Sequence, residues 1–93
     1  MHQYTMNALY DILHSMRLGF LVHSDGKVKL PRDEDGELMT EKELAERLAY
    51  PRQAVREALA LLSDIGYVVQ YPQKGFAVRV KVIDPVQPSP HMR

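Results

Sequence analysis

The sequence predicts a small α+β domain of three helices closed by a C-terminal β-hairpin. Two observations carry that expectation. Apolar residues recur at three- and four-residue steps in three separate stretches, and each stretch has its own punctuation. Gly19 follows the first, Thr40 with Glu43 heads the second, and Gly66 follows the third. After Gly66 the apolar period changes from helical to alternating, interrupted once by Pro72-Gln73-Lys74-Gly75.

The first helix is expected from His2 to about Leu18. Met6, Leu9, Tyr10, Leu13 and Met16 form its apolar stripe, with Asn7, Asp11 and Ser15 on the other side and His14 or Arg17 near the boundary. That stripe is expected to pack on the core, and Tyr10 with the methionines suits a dimer contact as well. Next come two short β-prone runs, Phe20–His23 and Lys27–Leu30, flanking Ser24-Asp25-Gly26, a strong hairpin signal. Pro31 ends this segment, and Arg32 to Met39 reads as an acidic loop. Asp33, Asp35 and Glu37 alternate there but lack the late Glu of a calcium loop, so a solvated loop is expected and no metal.

Thr40 and Glu43 make a capping box that starts the second helix, with Leu44, Ala45 and Leu48 as its apolar stripe. Ala49-Tyr50-Pro51 is a tight joint. The third helix repeats the period through Val55, Ala58, Leu59, Leu62 and Ile65, and Gly66 supplies a left-handed cap. Tyr67–Tyr71 is a strand by composition, Pro72–Gly75 a turn, and Phe76 to Val82 a strand with Ala77, Arg79 and Lys81 on its wet face. A β-hairpin directly after a helix-turn-helix describes a winged helix. From residue 84 on, DPVQPSPHMR holds three prolines and no apolar period. The expected organisation is a winged-helix DNA-binding domain over 1–83 and a flexible Pro-rich tail over 84–93.

Composition narrows the partners. At 93 residues and 45% apolar side chains, one small core is expected, and a dimer would add to its limited stability. The chain has no Cys, which excludes disulfides and thiolate metal sites and is compatible with a reducing cytosol. No apolar run reaches membrane-spanning length, and MHQYTMNALYD lacks the layout of a secretion signal, so a cytoplasmic protein with no membrane partner is expected. Twelve basic and twelve acidic residues cancel, yet they are segregated. Residues 33–46 carry seven acidic side chains against Lys42, a net −6, while residues 47–81 carry six basic against two acidic, a net +4. That polarity keeps nucleic acid as a partner and disfavours indiscriminate binding.

The leading face of the third helix holds Arg52, Gln53 and Arg56. A recognition helix reads bases from its first turns, Arg through guanine O6 and N7, Gln through adenine N6 and N7. Lys74 and Gly75 sit at the hairpin turn, where a wing would meet the backbone or the minor groove. Arg79 and Lys81 could add phosphate contacts or simply blunt an edge strand. No nucleophile–base pair stands out, and His2, His14, His23 and His91 show no ligand spacing, so neither an enzyme nor a cofactor is expected.

Residues 40–80 resemble the DNA-binding domain of GntR-type bacterial regulators, with the wording of Val55-Arg56-Glu57-Ala58-Leu59 closest to the FadR branch. Glu43-Leu44-Ala45, Arg52, Leu62, Gly66 and Gly75-Phe76 also match. The resemblance implies that Arg52 and Arg56 make the main recognition contacts and that Gln53 fills an adjacent base-reading position. It further implies that Lys42 contacts DNA and that Gly75 is the wing tip. Three departures stand out. The usual Gly-Val-Ser/Thr joint is Ala49-Tyr50-Pro51, which removes a side-chain cap and its phosphate contact. The loop before Thr40 is longer and more acidic. The chain ends at Arg93, so the large effector-binding domain is expected to be absent, leaving dimerisation to the first helix, the Phe20–Leu30 segment, or the C-terminal strand and tail.

The function expected is that of a sequence-specific regulator of transcription, a repressor by preference, binding double-stranded DNA as a homodimer. The rival expectations are a winged helix used for contact with a protein partner, its functional surface the acidic segment 33–46, and a shortened partner of a full-length regulator.

Overall fold

The computed structural model describes residues 2–23, 26–80 and 82. Helix α1 spans Gln3–Leu18, strands β1 and β2 span Phe20–His23 and Gly26–Lys29, and a single 3-10 turn covers Asp33–Asp35. Helices α2 (Glu41–Leu48) and α3 (Arg52–Asp64) follow, then strands β3 (Val68–Tyr71) and β4 (Gly75–Val78). Three α-helices and a closing antiparallel hairpin make the expected winged helix. Ser24-Asp25 of the first hairpin signal, Lys81 and the whole 84–93 tail lie outside the described residues.

The two β-prone runs around Gly26 pair with each other, in the register Phe20↔Lys29 through His23↔Gly26, and form a sheet separate from the β3–β4 wing. In the wing, Val68 faces Val78 and Tyr71 faces Gly75. Residues 31–39 meet the free edge of β4 at two isolated bridges on either side of the 3-10 turn, Arg32↔Val78 in the parallel sense and Met39↔Phe76 in the antiparallel. This corrects the expectation of one wet face along the last strand. Phe76, Ala77 and Val78 are all buried, so both faces of the strand are covered along this stretch. The strand also stops at Val78 instead of running to Val82, because the N–H groups of Arg79 and Val80 both turn to the Tyr67 carbonyl.

The core lies where α1, α2 and α3 meet the wing. Phe76, Ile12, Leu44, Val55, Leu59 and Leu62 are essentially inaccessible there, and burial of each large apolar side chain contributes about 1.5–3 kcal/mol. The buried face of α1 differs from the hydropathy stripe. It is Thr5, Ala8, Ile12, Ser15 and Met16, while Met6, Leu9 and Leu13 are half-buried and Tyr10 is 61% exposed. The reason is close helix contact combined with satisfied polar groups. Ala8 on α1 and Ala54 and Ala58 on α3 are small enough to let the backbones approach. Thr5 donates its hydroxyl to Glu57 at 2.6 Å and Ser15 to the Asp11 carbonyl at 2.8 Å, so their burial leaves no polar atom unmatched.

The end of α3 also shifts by one residue. Ile65 is the C-cap and 62% exposed, so it leaves the apolar stripe assigned to it. Gly66 takes φ +86°, with its N–H on the Ser63 carbonyl and the Tyr67 N–H on the Leu62 carbonyl. That pair of bonds is a Schellman cap, which turns the chain directly into β3.

Candidate nucleic-acid interface

Helix α2 starts where the sequence says it should, because the Thr40 hydroxyl accepts from the Glu43 N–H at 3.0 Å. The reciprocal half of the capping box is replaced: the Glu43 carboxylate takes Arg47, one turn on, at 3.5 Å. Lys42 in the first turn is exposed, while Leu44 and Ala45 bury the opposite side. The joint is sharp because Ala49 adopts φ +62°, ψ +41°, and both Ala49 and Tyr50 give their N–H groups to the Ala45 carbonyl. Pro51 precedes α3 with no side-chain cap, as the departure at this position implies. The Tyr50 hydroxyl reaches back and donates to the Asp11 carboxylate of α1 at 2.7 Å, and donating that bond raises the Tyr50 pKa above its ordinary value. The joint is thus moored to the first helix.

Arg52, Gln53 and Arg56 are exposed, while Ala54, Val55, Ala58, Leu59 and Leu62 bury the other face of α3. A cleft of about 500 Å³ opens between the first turn of α2, the first turn of α3 and the wing turn. Lys42, Arg52, Lys74 and Gly75 all line it. Arg56 stands beside the same cleft through Glu41, whose carboxylate accepts its Nε–H at 3.2 Å. Gln53 lies elsewhere. It lines a smaller hollow of about 320 Å³ against the start of α1, and its amide donates to Glu57 at 3.1 Å.

The wing turn has a geometry of its own. Lys74 N–H bonds the Tyr71 carbonyl at 2.9 Å, with Gln73 carrying the positive φ of +65°. Gly75 serves a different need: at φ +136° it lets the Met39 carbonyl come close enough that a Cβ would sit only 2.4 Å from it. The acidic loop reaches the rim of the cleft. Asp33 accepts from the Tyr71 hydroxyl at 2.6 Å, which holds the Tyr71 pKa up. Glu34 pairs with Arg32 at 2.6 Å and Asp35 with Lys29 at 3.9 Å, so part of the loop's charge is compensated locally.

Residues 32–78 match the family model of bacterial regulatory proteins, gntR family, over just over half of the chain. The chain belongs to the GntR family. Its winged helix is therefore the DNA-binding module of a transcription regulator, in a family that is regulatory and not enzymatic. Neither a curated protein nor a solved structure gives a match to this GntR chain. Among the described residues, no helix is long and apolar enough to cross a membrane, and no group of three or more His, Asp or Glu is placed to hold a metal.

Glu41, Gln70 and Tyr71 are parts of the cleft that sequence reasoning left out. Glu41 looked like one more charge in an acidic run. Its partners Arg56 and Gln70 lie 15 and 29 residues away, and no local pattern signals such pairs.

Proposed function

We propose that this GntR protein is a sequence-specific repressor of FadR-like type, acting on double-stranded DNA in the cytoplasm as a homodimer. In this reading α3 enters the major groove. Arg52 and Arg56 read guanines, and Gln53 reads an adjacent base once it leaves Glu57. Lys42 neutralises a phosphate beside the start of α2, and Lys74 with Gly75 carries the wing to the backbone or minor groove. Residues 1–83 constitute the DNA-binding unit. The observation that supports this reading is the gathering of Lys42, Arg52, Lys74 and Gly75 around one open cleft from three different elements. Two copies bring two such clefts to symmetric half-sites, which multiplies the few base pairs one helix can read.

Selection of bound sequences from a random duplex pool tests the proposal, followed by affinity against salt for the enriched site. The expected outcome is a palindromic consensus bound two protomers at a time, with log affinity falling linearly in log salt. Enrichment of no sequence overturns the reading and turns attention to a protein partner for the same surface.

A further inference from the structure

We propose that Glu41 is a positioning residue for sequence readout, holding Arg56 as an oriented fork for guanine; this rests on the DNA-binding reading above. Glu41 occupies the first position of α2, with its side chain 24% exposed against 52% for Arg56. One carboxylate oxygen accepts from Arg56 Nε at 3.2 Å, and the other accepts from Gln70 Nε2 at 3.4 Å. A single carboxylate therefore ties together α2, α3 and β3, the three elements that frame the cleft. An exposed arginine normally samples many rotamers, and ordering it costs up to about 2 kcal/mol of side-chain entropy. Anchoring through Nε removes much of that freedom before DNA arrives. The guanidinium is planar, so anchoring one edge also orients its two terminal nitrogens, the pair whose spacing suits guanine O6 and N7.

The same carboxylate has a second consequence. It places a negative charge in a cleft otherwise lined by Lys42, Arg52 and Lys74, so it opposes phosphates that arrive without a correctly placed base. Glu41 thus acts twice toward specificity, raising the preference for guanine opposite Arg56 and lowering affinity for unrelated sequences. A purely structural ion pair would do neither selectively. A blocking ion pair, which had to break before binding, would weaken operator and unrelated DNA together.

The test uses the full chain with Glu41→Ala, Glu41→Gln, Glu41→Asp and Arg56→Ala, against the selected operator, single-base variants of it, and an unrelated duplex. Arg56→Ala first locates the guanine that Arg56 reads. Glu41→Ala is expected to lower the preference for that guanine on the order of tenfold, leave the preferences at other positions in place, and bind the unrelated duplex at least as tightly as the parent. Glu41→Gln keeps an acceptor for Nε without the charge, so it retains most of the preference while binding unrelated DNA more tightly. Glu41→Asp is the arm that survives if the alanine variant fails to fold. Its shorter side chain withdraws the carboxylate from Nε but keeps the charge, so the preference falls with no gain on unrelated DNA. In the free protein, the Arg56 Nε–H signal in a nitrogen-15 spectrum should lose its protection from exchange in Glu41→Ala. An intact consensus with unchanged guanine preference in Glu41→Ala and Glu41→Asp overturns the role of Glu41 alone. Tighter operator binding in Glu41→Ala, with preference preserved, shows a blocking pair instead. A parent protein that enriches no consensus overturns the DNA reading itself.

Discussion

The Met39 carbonyl oxygen occupies the space that a side chain on Gly75 would need: an ideal Cβ there falls 2.4 Å from it. The oxygen has little room to retreat, because it accepts the Phe76 N–H at 2.8 Å, while the Met39 N–H donates to the Phe76 carbonyl at 3.0 Å. This pair of bonds docks the wing onto the chain that leads into α2. It thereby sets how far Lys74 stands from Lys42.

Gly75→Ala should therefore be costly at φ +136° and at a backbone contact that cannot yield. The expected loss is about 3 kcal/mol or more of unfolding free energy, read from urea denaturation. A loss below about 1 kcal/mol would mean the wing is not docked this tightly.

Ala49→Gly should act in the opposite direction. Ala49 holds a left-handed conformation at the joint, which costs a residue with a Cβ about 1–2 kcal/mol, partly offset by the greater unfolded freedom of glycine. A net gain of about 0.5–1 kcal/mol is expected, raising Tm by about 4–8 °C for each kcal/mol in a domain of this size. An unchanged or lower Tm would rule out strain at the joint.

The Thr5–Glu57 bond makes stability sensitive to acid. The Thr5 hydroxyl is the main cause holding the Glu57 carboxyl below its ordinary pKa, with Gln53 second and burial opposing both. A carboxylate whose folded pKa is lowered contributes stability above the unfolded value and loses it as pH falls through the folded value. Thr5→Val, close in shape, removes the donor. Its Tm should fall near neutral pH and then decline less steeply than the parent's below the ordinary carboxylate range. Parallel Tm–pH curves for the two proteins would show that the bond does not stabilise the fold. Because Glu57 is exposed, solvent screening keeps the effect small.

Substitutions around the cleft should separate base reading from phosphate contact. Lys42→Ala and Lys74→Ala are expected to weaken all duplexes alike and to flatten the log–log salt slope by about one unit each. Arg52→Ala should cost about 1–3 kcal/mol on the operator, with preference lost at one position in each half-site. Salt titrations with operator and scrambled duplexes distinguish the two classes. An Arg52→Ala protein that weakens both duplexes equally would move Arg52 to the phosphate group of contacts.

Local features were legible where the determinants lie close in the chain. The Thr40 cap, the Gly66 turn, the pairing of the two runs beside Gly26 and the stretch 52–64 as a helix all depend on residues a few positions apart. The exposed face with Arg52, Gln53 and Arg56 followed from the same periodicity, since Val55, Ala58, Leu59 and Leu62 had to turn inward.

Other features depended on distance in space. Hydropathy alone placed Leu9 and Tyr10 of α1 toward the core, whereas small side chains and bonded hydroxyls let Thr5, Ala8 and Ser15 be the buried ones, with Thr5 bonded to Glu57 of α3. The burial of Ala77 and the bridging of β4 by Arg32 and Met39 are both matters that strand alternation cannot reveal. The sequence by itself determined the order of elements and which side chains near α3 are chemically able to read DNA, because helix period, capping and turn chemistry act over one or two turns. Only the tertiary structure decided that Lys42, Arg52, Lys74 and Gly75 share a cleft, that Gln53 stands apart from it, and that Glu41 holds Arg56. Those placements come from packing α1 and α2 on α3 and docking the wing on Met39, and contacts between separate elements leave no local trace in the chain.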